Sequence, residues 1–313
     1  MPAARRKLLV MDSEGRAIVM RRTGPPEVLA VEQIAPRSLA AGEVRLRALA
    51  SAINHSDLEI RAGNWRIRRE PPFPYVPGLE IVGEVVEVAT DVTDFAVGDR
   101  AWTTMQGLGG VRAERDGGYA EQVVVSADVL APLPAGVDAV KFASIGLAGV
   151  TAIESLRKLG SVAGQTLVVT GSTGGVGAVA IEIGRALGAT VVALTRSAPL
   201  PQPASADLVL DGVAGPLFAP LIAALRPGGR YCMFGAAAGG DVSFDAWGLI
   251  ERRVLTGYST EDLDGKALRK ATRELLALRL PTPTTTVLPL AEAARAHALL
   301  EQRSLQGRVV LVP

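Results

Sequence analysis

The sequence predicts an α/β protein in two parts, a β-rich first part of barrel or sandwich type followed by a doubly wound parallel sheet. Three observations carry that expectation. Short apolar runs broken by Gly, Pro and Asp fill about the first 135 residues, the pattern changes from Phe142, and strand and helix patterns then alternate.

Length and composition support it. At 313 residues the chain is long enough for two domains, and 48% apolar content supplies a core for each. With 33 basic and 32 acidic residues the net charge is +1, which gives no field to collect polyanions, so neither nucleic acid nor an anionic membrane is expected as a partner. The one cysteine, Cys232 in "YCMFG", excludes an internal disulfide and any multi-cysteine metal site; it reads as core and fits a cytoplasmic location. "RRKLLVM" has a basic head but too few apolar residues before Asp12 for a signal peptide, and no stretch approaches an uninterrupted membrane span.

The elements follow in order. "RAIVMRR", "GEVRLRALA", "EIVGEVVEVA" and "AEQVVV" read as strands of the first part. "TAIESLRKLG" reads as a helix ending at Gly160 and "TLVVT" as a buried strand. "GGVGAVAIEIGRALG" is a helix with Val176, Val179, Ala180, Ile183 and Leu187 on one face and a left-handed stop at Gly188. "TVVALT", "ADLVLD" and "GRYCMFG" are further parallel strands, the last preceded by a helix over Pro216 to Leu225. "KALRKATRELLALRL" is another helix, and the closing "GRVVLVP" is a strand returning to the first domain. The expected division is 1–137 with 281–313 for the first domain and 138–280 for the second.

The junction "TGSTGGVG" carries Gly171, Gly174 and Gly177 between a strand and a helix. Residues without Cβ let the backbone approach a pyrophosphate, whose charge the amides at the helix start can meet. Gly171, Ser172, Thr173 and Gly174, with Gly175, Val176 and Gly177, are therefore the candidate cofactor loop, against the plainer alternative of a tight turn with no ligand. No Lys follows, as a nucleoside-triphosphate loop would need. At the end of the next strand, where an NAD-preferring site puts an acidic residue, stand Thr195, Arg196 and Ser197. A guanidinium and two hydroxyls suit a 2′-phosphate and favour NADPH; a solvated surface arginine is the alternative.

Taken together, "GPPEVLAVEQ", "AINHSDLEIRAGNW", "PFPYVPGLEIVGEVVEV", "VGDRAW", "GGYAEQVVV", "TGSTGGVG", "LRPGGRYCMFG" and "QGRVVLVP" resemble the medium-chain dehydrogenase/reductase superfamily, within it the zinc-free quinone oxidoreductase and enoyl reductase branch. The resemblance runs over nearly the whole chain. It implies a GroES-like catalytic domain and a Rossmann domain. Asn54 and Leu79 stand where zinc-dependent members carry Cys and His, and leucine offers no donor, so no zinc is expected. The implied chemistry is hydride delivery from NADPH to the β-carbon of an activated C=C bond, in an enone or enoyl thioester, or to a quinone.

By the same resemblance Asn54 lies near the nicotinamide, although a helix cap fits it equally. His55 is a candidate proton donor or a structural group, and Trp65 stands where relatives carry tyrosine. Thr151, Gly235 and Ala236 line the nicotinamide end, and a homodimer through an edge strand of the nucleotide domain is expected. Asp57, Glu80 and His297 read as packing, turn or structural residues. The glycine-rich segment Thr103 to Gly118 reads as a mobile loop, with Arg112 and Arg115 available to an acidic substrate or merely solvated.

One stretch departs from the pattern. Between Arg196 and "ADLVLDGVAG" lie about a dozen residues with Pro199, Pro201 and Pro203, which cannot form a helix interior. A strand and its flanking helices are missing from the expected Rossmann order, so the sheet should be one strand narrower on the adenine side. Three functions follow: an NADPH-dependent reductase, the same fold turned to cofactor-independent cyclase, isomerase or lyase chemistry, or a non-catalytic dinucleotide-binding protein.

Overall fold

The computed structural model describes residues 14–35, 37–66, 70–260, 263–302, 304–305 and 307–313. The basic segment 5–11 lies outside them, with the rest of the first 13 residues of the expected first domain.

In the first part, β1 (Gly15–Val19) and β2 (Ala30–Ile34) form an antiparallel ribbon. The hub of the main sheet is β3 (Glu43–Ala52), followed by α1 (His55–Ala62), which stops at Gly63 in the left-handed conformation. One edge of β3 pairs with β4 (Glu80–Val88), which leads through β5 (Arg100–Thr104) to β7 (Ala131–Leu133). Its other edge is shared between β6 (Gln122–Ser126) and the last strand of the chain. A bulge between Ala48 and Ala50 redirects β3: Val44, Leu46 and Ala48 enter the core of the first part, while Ala50 and Ala52 enter the core shared with the second.

The second part opens with α2 (Ala139–Leu159), which starts twelve residues before the helix expected at Thr151 because Asp138 caps it, accepting the amide of Lys141. By length and hydropathy α2 passes as a membrane span, yet 72% of its most apolar window is buried inside the protein. Then come β8 (Thr166–Val169), α3 (Gly175–Ala186), β9 (Thr190–Ala193), β10 (Ala206–Asp211), α4 (Phe218–Ala224), β11 (Leu225–Met233), α5 (Trp247–Ile250) and β12 (Val254–Gly257). The five strands are parallel in the order β12-β11-β10-β8-β9. Helix α6 (Gly265–Ala277) packs on α2. The chain then returns to the first sheet through β13 (Thr285–Pro289), α7 (Ala293–Glu301) and β14 (Arg308–Val312), as the closing "GRVVLVP" suggested.

The sheet is narrowed as the sequence implied. A doubly wound sheet of order 3-2-1-4-5-6 would place another strand outside β9. Here β9 is the edge, and among the described residues no strand pairs with its outer side. Residues 194–205 instead run from the end of β9 past β8 to the start of β10 as coil. Strand alternation explains why this suffices. Leu167 and Val169 of β8 face the α2/α3 core, whereas Val168 faces a third core that Leu194 and Ala198 help close with Val209, Phe218 and Leu221. Extended, proline-rich chain does the covering that a helix would otherwise do.

Two local expectations fail. Leu187 caps α3 instead of extending its apolar face and is 44% exposed. The segment 103–118 is not an open loop: after β5 it folds into short 3-10 turns over Met105–Leu108 and Gly110–Arg112, with Met105, Leu108 and Ala113 buried. Apolar side chains at that spacing outweigh the glycines, which supply the left-handed turns at Gly109 and Gly110.

Candidate active site between the two sheets

The glycine loop joins β8 to α3. Gly171 takes φ 58°, and Gly174 caps the helix, its amide bonding back to the Gly171 carbonyl at 2.8 Å. A Cβ on Gly177 would overlap the Gly171 carbonyl oxygen, so only glycine allows this close turn. The first-turn amides of α3 have no partner within the helix and lie at the loop's mouth, the arrangement that receives an anion. Ser172 ties the loop to the next strand by donating to the Leu194 carbonyl at 3.0 Å. Thr173 is exposed on the loop and Val176 half-buried on α3. Beyond Leu194, the side chains of Thr195, Arg196 and Ser197 are all exposed.

The neighbouring strand ends are held by Asp211. Its buried carboxylate accepts from the hydroxyls of Thr170 and Tyr231 and from the amides of Val213 and Ala214, binding the tips of β8, β10 and β11 together. Gly235 lies against Gly212, and the amides of Ala237 and Ala238 donate to the carbonyls of Gly212 and Val213. Gly235 and Ala236 are thereby placed at the end of β10, one strand over from the glycine loop, at the carboxyl ends of the strands where this fold binds ligands.

Across the cleft, Asn54 occupies the cap position of α1 and is buried. Its side chain is spent elsewhere. Nδ2 donates to Glu80 Oε1 at 2.9 Å and to the Ala52 carbonyl at 3.3 Å, while Oδ1 accepts from Arg308 Nη2 at 2.8 Å. Both amide protons and the carbonyl oxygen of this side chain are thus engaged by the chain itself. Glu80 Oε2 accepts the amide of Leu147 at 3.0 Å, and Arg308 Nε donates to the Ser144 carbonyl at 3.1 Å, so both charged groups grip α2. Thr151 is buried one turn further along that helix. Arg308 also reaches the glycine loop: a Cβ on Gly175 would collide with its Nη1.

Burial works against both charges. The Glu80 carboxyl is pushed up to about 7, with the guanidinium of Arg308 at 3.7 Å, the Asn54 amide and the Leu147 amide pulling it back. Arg308 is shifted downward by the same desolvation, opposed by Glu80 and Asp57. Each group is tolerated because the other is present.

The other expected residues are not gathered in. His55 opens α1 with a side chain 73% exposed, its Nε2 3.7 Å from Glu59, pointing away from the Asn54 network. Trp65 is half-buried and packs on the first core. Arg112 is exposed and lies 3.9 Å from Glu114. Arg308 was missed by the sequence reading, which saw only a closing strand. The available signal was an arginine in the apolar run "GRVVLVP", matched by Glu80 in "PGLEIVG", two charges in segments otherwise fit for a core.

The alcohol dehydrogenase GroES-like domain family matches residues 40–135, and the zinc-binding dehydrogenase family matches residues 187–311. The chain belongs to the medium-chain dehydrogenase/reductase superfamily. Within this superfamily, a quinone oxidoreductase of Lama guanicoe is 34% identical over 55% of this chain and 49% of that protein. A 2-haloacrylate reductase of a Burkholderia species is 27% identical over 95% of this chain and 98% of that one. Among solved structures, AibC superposes with a TM-score of 0.86 at 27% identity, covering 100% of this chain and 99% of that one. A mycobacterial protein complexed with NADPH superposes at 0.80 with 28% identity, covering 96% and 100%. The chain spans 61% of the first curated relative, an alcohol dehydrogenase of Geobacillus stearothermophilus.

Despite the family's zinc-binding description, the donor set here does not fit that metal. Leu79 has no donor atom, the Asn54 amide is committed to Arg308 and Glu80, and the described residues hold no group of three His, Cys, Asp or Glu. A dinucleotide fits better, because the close turn that only glycine at 177 allows opens the free first-turn amides of α3 toward an anion.

Proposed function

We propose that this chain is an NADPH-dependent reductase that works without zinc and delivers hydride to the activated C=C bond of an enone or enoyl thioester, or to a quinone. The observation that carries this reading is the continuous link from the cofactor loop at Gly175, through the buried guanidinium of Arg308, to Asn54 on the opposite domain. NADPH supplies the hydride when bound. The chain's own groups do the rest.

The first turn of α3 and Arg308 beneath Gly175 provide positive potential for a pyrophosphate. Asn54, held by Ala52, Glu80 and Arg308, keeps the Arg308 guanidinium in a fixed position between the two domains. Gly235 and Ala236 bring bare backbone to the nicotinamide side. With positioning and preorganised charge as the main contributions, no strong base is required. The similarity to an NADPH-bound structure and to enzymes named as reductases supports the cofactor and the reaction class. A homodimer through the β12 edge accords with the exposure of Trp247 (71%) and Ile250 (69%) beside it.

The shortened sheet favours a second reading, chemistry in the same cleft without any nucleotide. The deciding experiment is NADPH oxidation by the purified protein across a panel of enones, enoyl thioesters and quinones, compared with Asn54→Ala. Turnover that depends on Asn54 supports the first reading. Turnover of an unsaturated substrate with no nucleotide present supports the second.

A further inference from the structure

Resting on the reading of the glycine loop as a nucleotide site, we propose that this site holds its cofactor by the nicotinamide, ribose and pyrophosphate half alone, leaving the adenosine end in solvent. It would accept reduced nicotinamide nucleotides with little regard to what lies beyond the pyrophosphate.

The two halves of the site are built differently. On the nicotinamide side, Asn54 is fixed by four groups, Asp57 Oδ2 accepting its backbone amide at 2.8 Å while Ala52, Glu80 and Arg308 hold its side chain. The glycine loop is fixed as firmly, by Ser172 on Leu194, by Gly174 on Gly171 and by Arg308 against Gly175. Apart from the bond between Gly174 and Gly171 within the loop, these are buried or partly buried contacts between elements of the fold, so little ordering is needed on association.

The adenosine side has no such frame. β9 is the sheet edge, Val192 and Ala193 on it are exposed, and among the described residues no strand lies beyond. The coil that replaces a strand and its helices turns away from the strand ends, because Leu194 and Ala198 anchor it on the opposite face of β8. Thr195, Arg196 and Ser197 remain, all exposed, and no hydrogen bond or ion pair among the described residues holds the Arg196 guanidinium in place. A solvated arginine on a coil gives a weak, salt-screened contact with a 2′-phosphate. Neither β9 nor the coil 194–205 carries an aromatic side chain on which an adenine could stack.

The test is a set of direct titrations of the full-length protein, by nucleotide fluorescence or calorimetry, with NADPH, NADH, reduced nicotinamide mononucleotide and 2′,5′-ADP. The expected result is dissociation constants for NADPH and NADH within about tenfold of each other, and Arg196→Ala should close that gap. The mononucleotide, which keeps one phosphate of the pyrophosphate, should bind within about tenfold of NADH, and 2′,5′-ADP should not compete with NADPH at millimolar concentration. Competition by 2′,5′-ADP, or NADPH binding a hundredfold more tightly than NADH, would overturn the proposal while leaving the reductase reading intact. Binding by none of the four would overturn both.

Discussion

Arg308 Nη2 donates to Asn54 Oδ1 at 2.8 Å, and the same guanidinium stands 3.7 Å from Glu80 Oε1. These three residues come from the last strand, the turn before α1 and the start of β4, and they meet where both domains touch α2. Removing the cation leaves a buried carboxylate without its counter-charge. Arg308→Met is expected to cost about 3–5 kcal/mol of stability, whereas adding Glu80→Gln should recover a large part of that loss. Denaturant unfolding of the two single variants and the double variant measures the coupling. Independent, additive losses would show that the pair is not a unit.

The glycine loop gives a sharper prediction about binding. Gly177→Ala places a methyl group on the Gly171 carbonyl oxygen, which must shift the loop or the start of α3. NADPH affinity should fall at least tenfold, with a stability loss of about 1–3 kcal/mol from overpacking. Gly136→Ala is the control, since a Cβ there meets nothing within 4 Å. Equal NADPH affinity in both variants would mean that the loop does not receive the cofactor.

Much of this architecture was legible because its signals are local. Gly171, Gly174 and Gly177 lie within seven residues, and the prolines at 199, 201 and 203 forbid a helix wherever they fall. The absent strand could be read before the sheet was seen. The Arg308 network could not, because its partners lie 254 and 228 residues away from it in sequence and meet only when β14 pairs with β3. The start of α2 was missed for a related reason. Asp138 caps it locally, but its first turns owe their burial to contact with β3 and β4, which lie far away in sequence. His55 shows the opposite failure: a titratable group beside Asn54 in sequence is turned to solvent by the helix that Asn54 begins.

His297 should make the fold acid-sensitive. It is fully buried on α7, with Tyr119 at 3.3 Å from Nε2 and Arg61 adding positive potential, and burial pulls its pKa down from 6.5 to about 3. Between those values the unfolded chain binds a proton that the folded chain does not, so stability rises with pH across that window and is lost as pH falls from 6.5 toward 3. Glu80 slopes the other way: its carboxyl, raised from 4.5 to about 7, makes stability fall as pH rises between those two values. Chemical denaturation of the wild type and His297→Gln from pH 4 to pH 7 separates them. Between pH 4.5 and 6.5 the His297 slope is opposed by those of Glu80 and Asp57, so His297→Gln should gain stability relative to the wild type as pH falls, and a difference between the two proteins that does not change with pH would show that His297 contributes no such slope.

The contact between β5 and α6 tests how the two domains are fastened. Trp102 is fully buried, and its indole Nε1 donates to Thr272 Oγ1 at 2.9 Å; that hydroxyl in turn donates to the Leu268 carbonyl at 2.7 Å within α6. Thr272→Val keeps the shape of the side chain but leaves the indole N–H buried without an acceptor. The expected cost is about 1–3 kcal/mol, the penalty for one unsatisfied buried donor. Trp102→Phe in the Thr272→Val background removes that donor as well, so the second substitution should cost less there than in the wild type. Thermal unfolding of the four proteins closes the cycle. Strict additivity would show that packing alone fastens β5 to α6, as the Trp102 and Phe142 rings, 5.0 Å apart, pack β5 on α2.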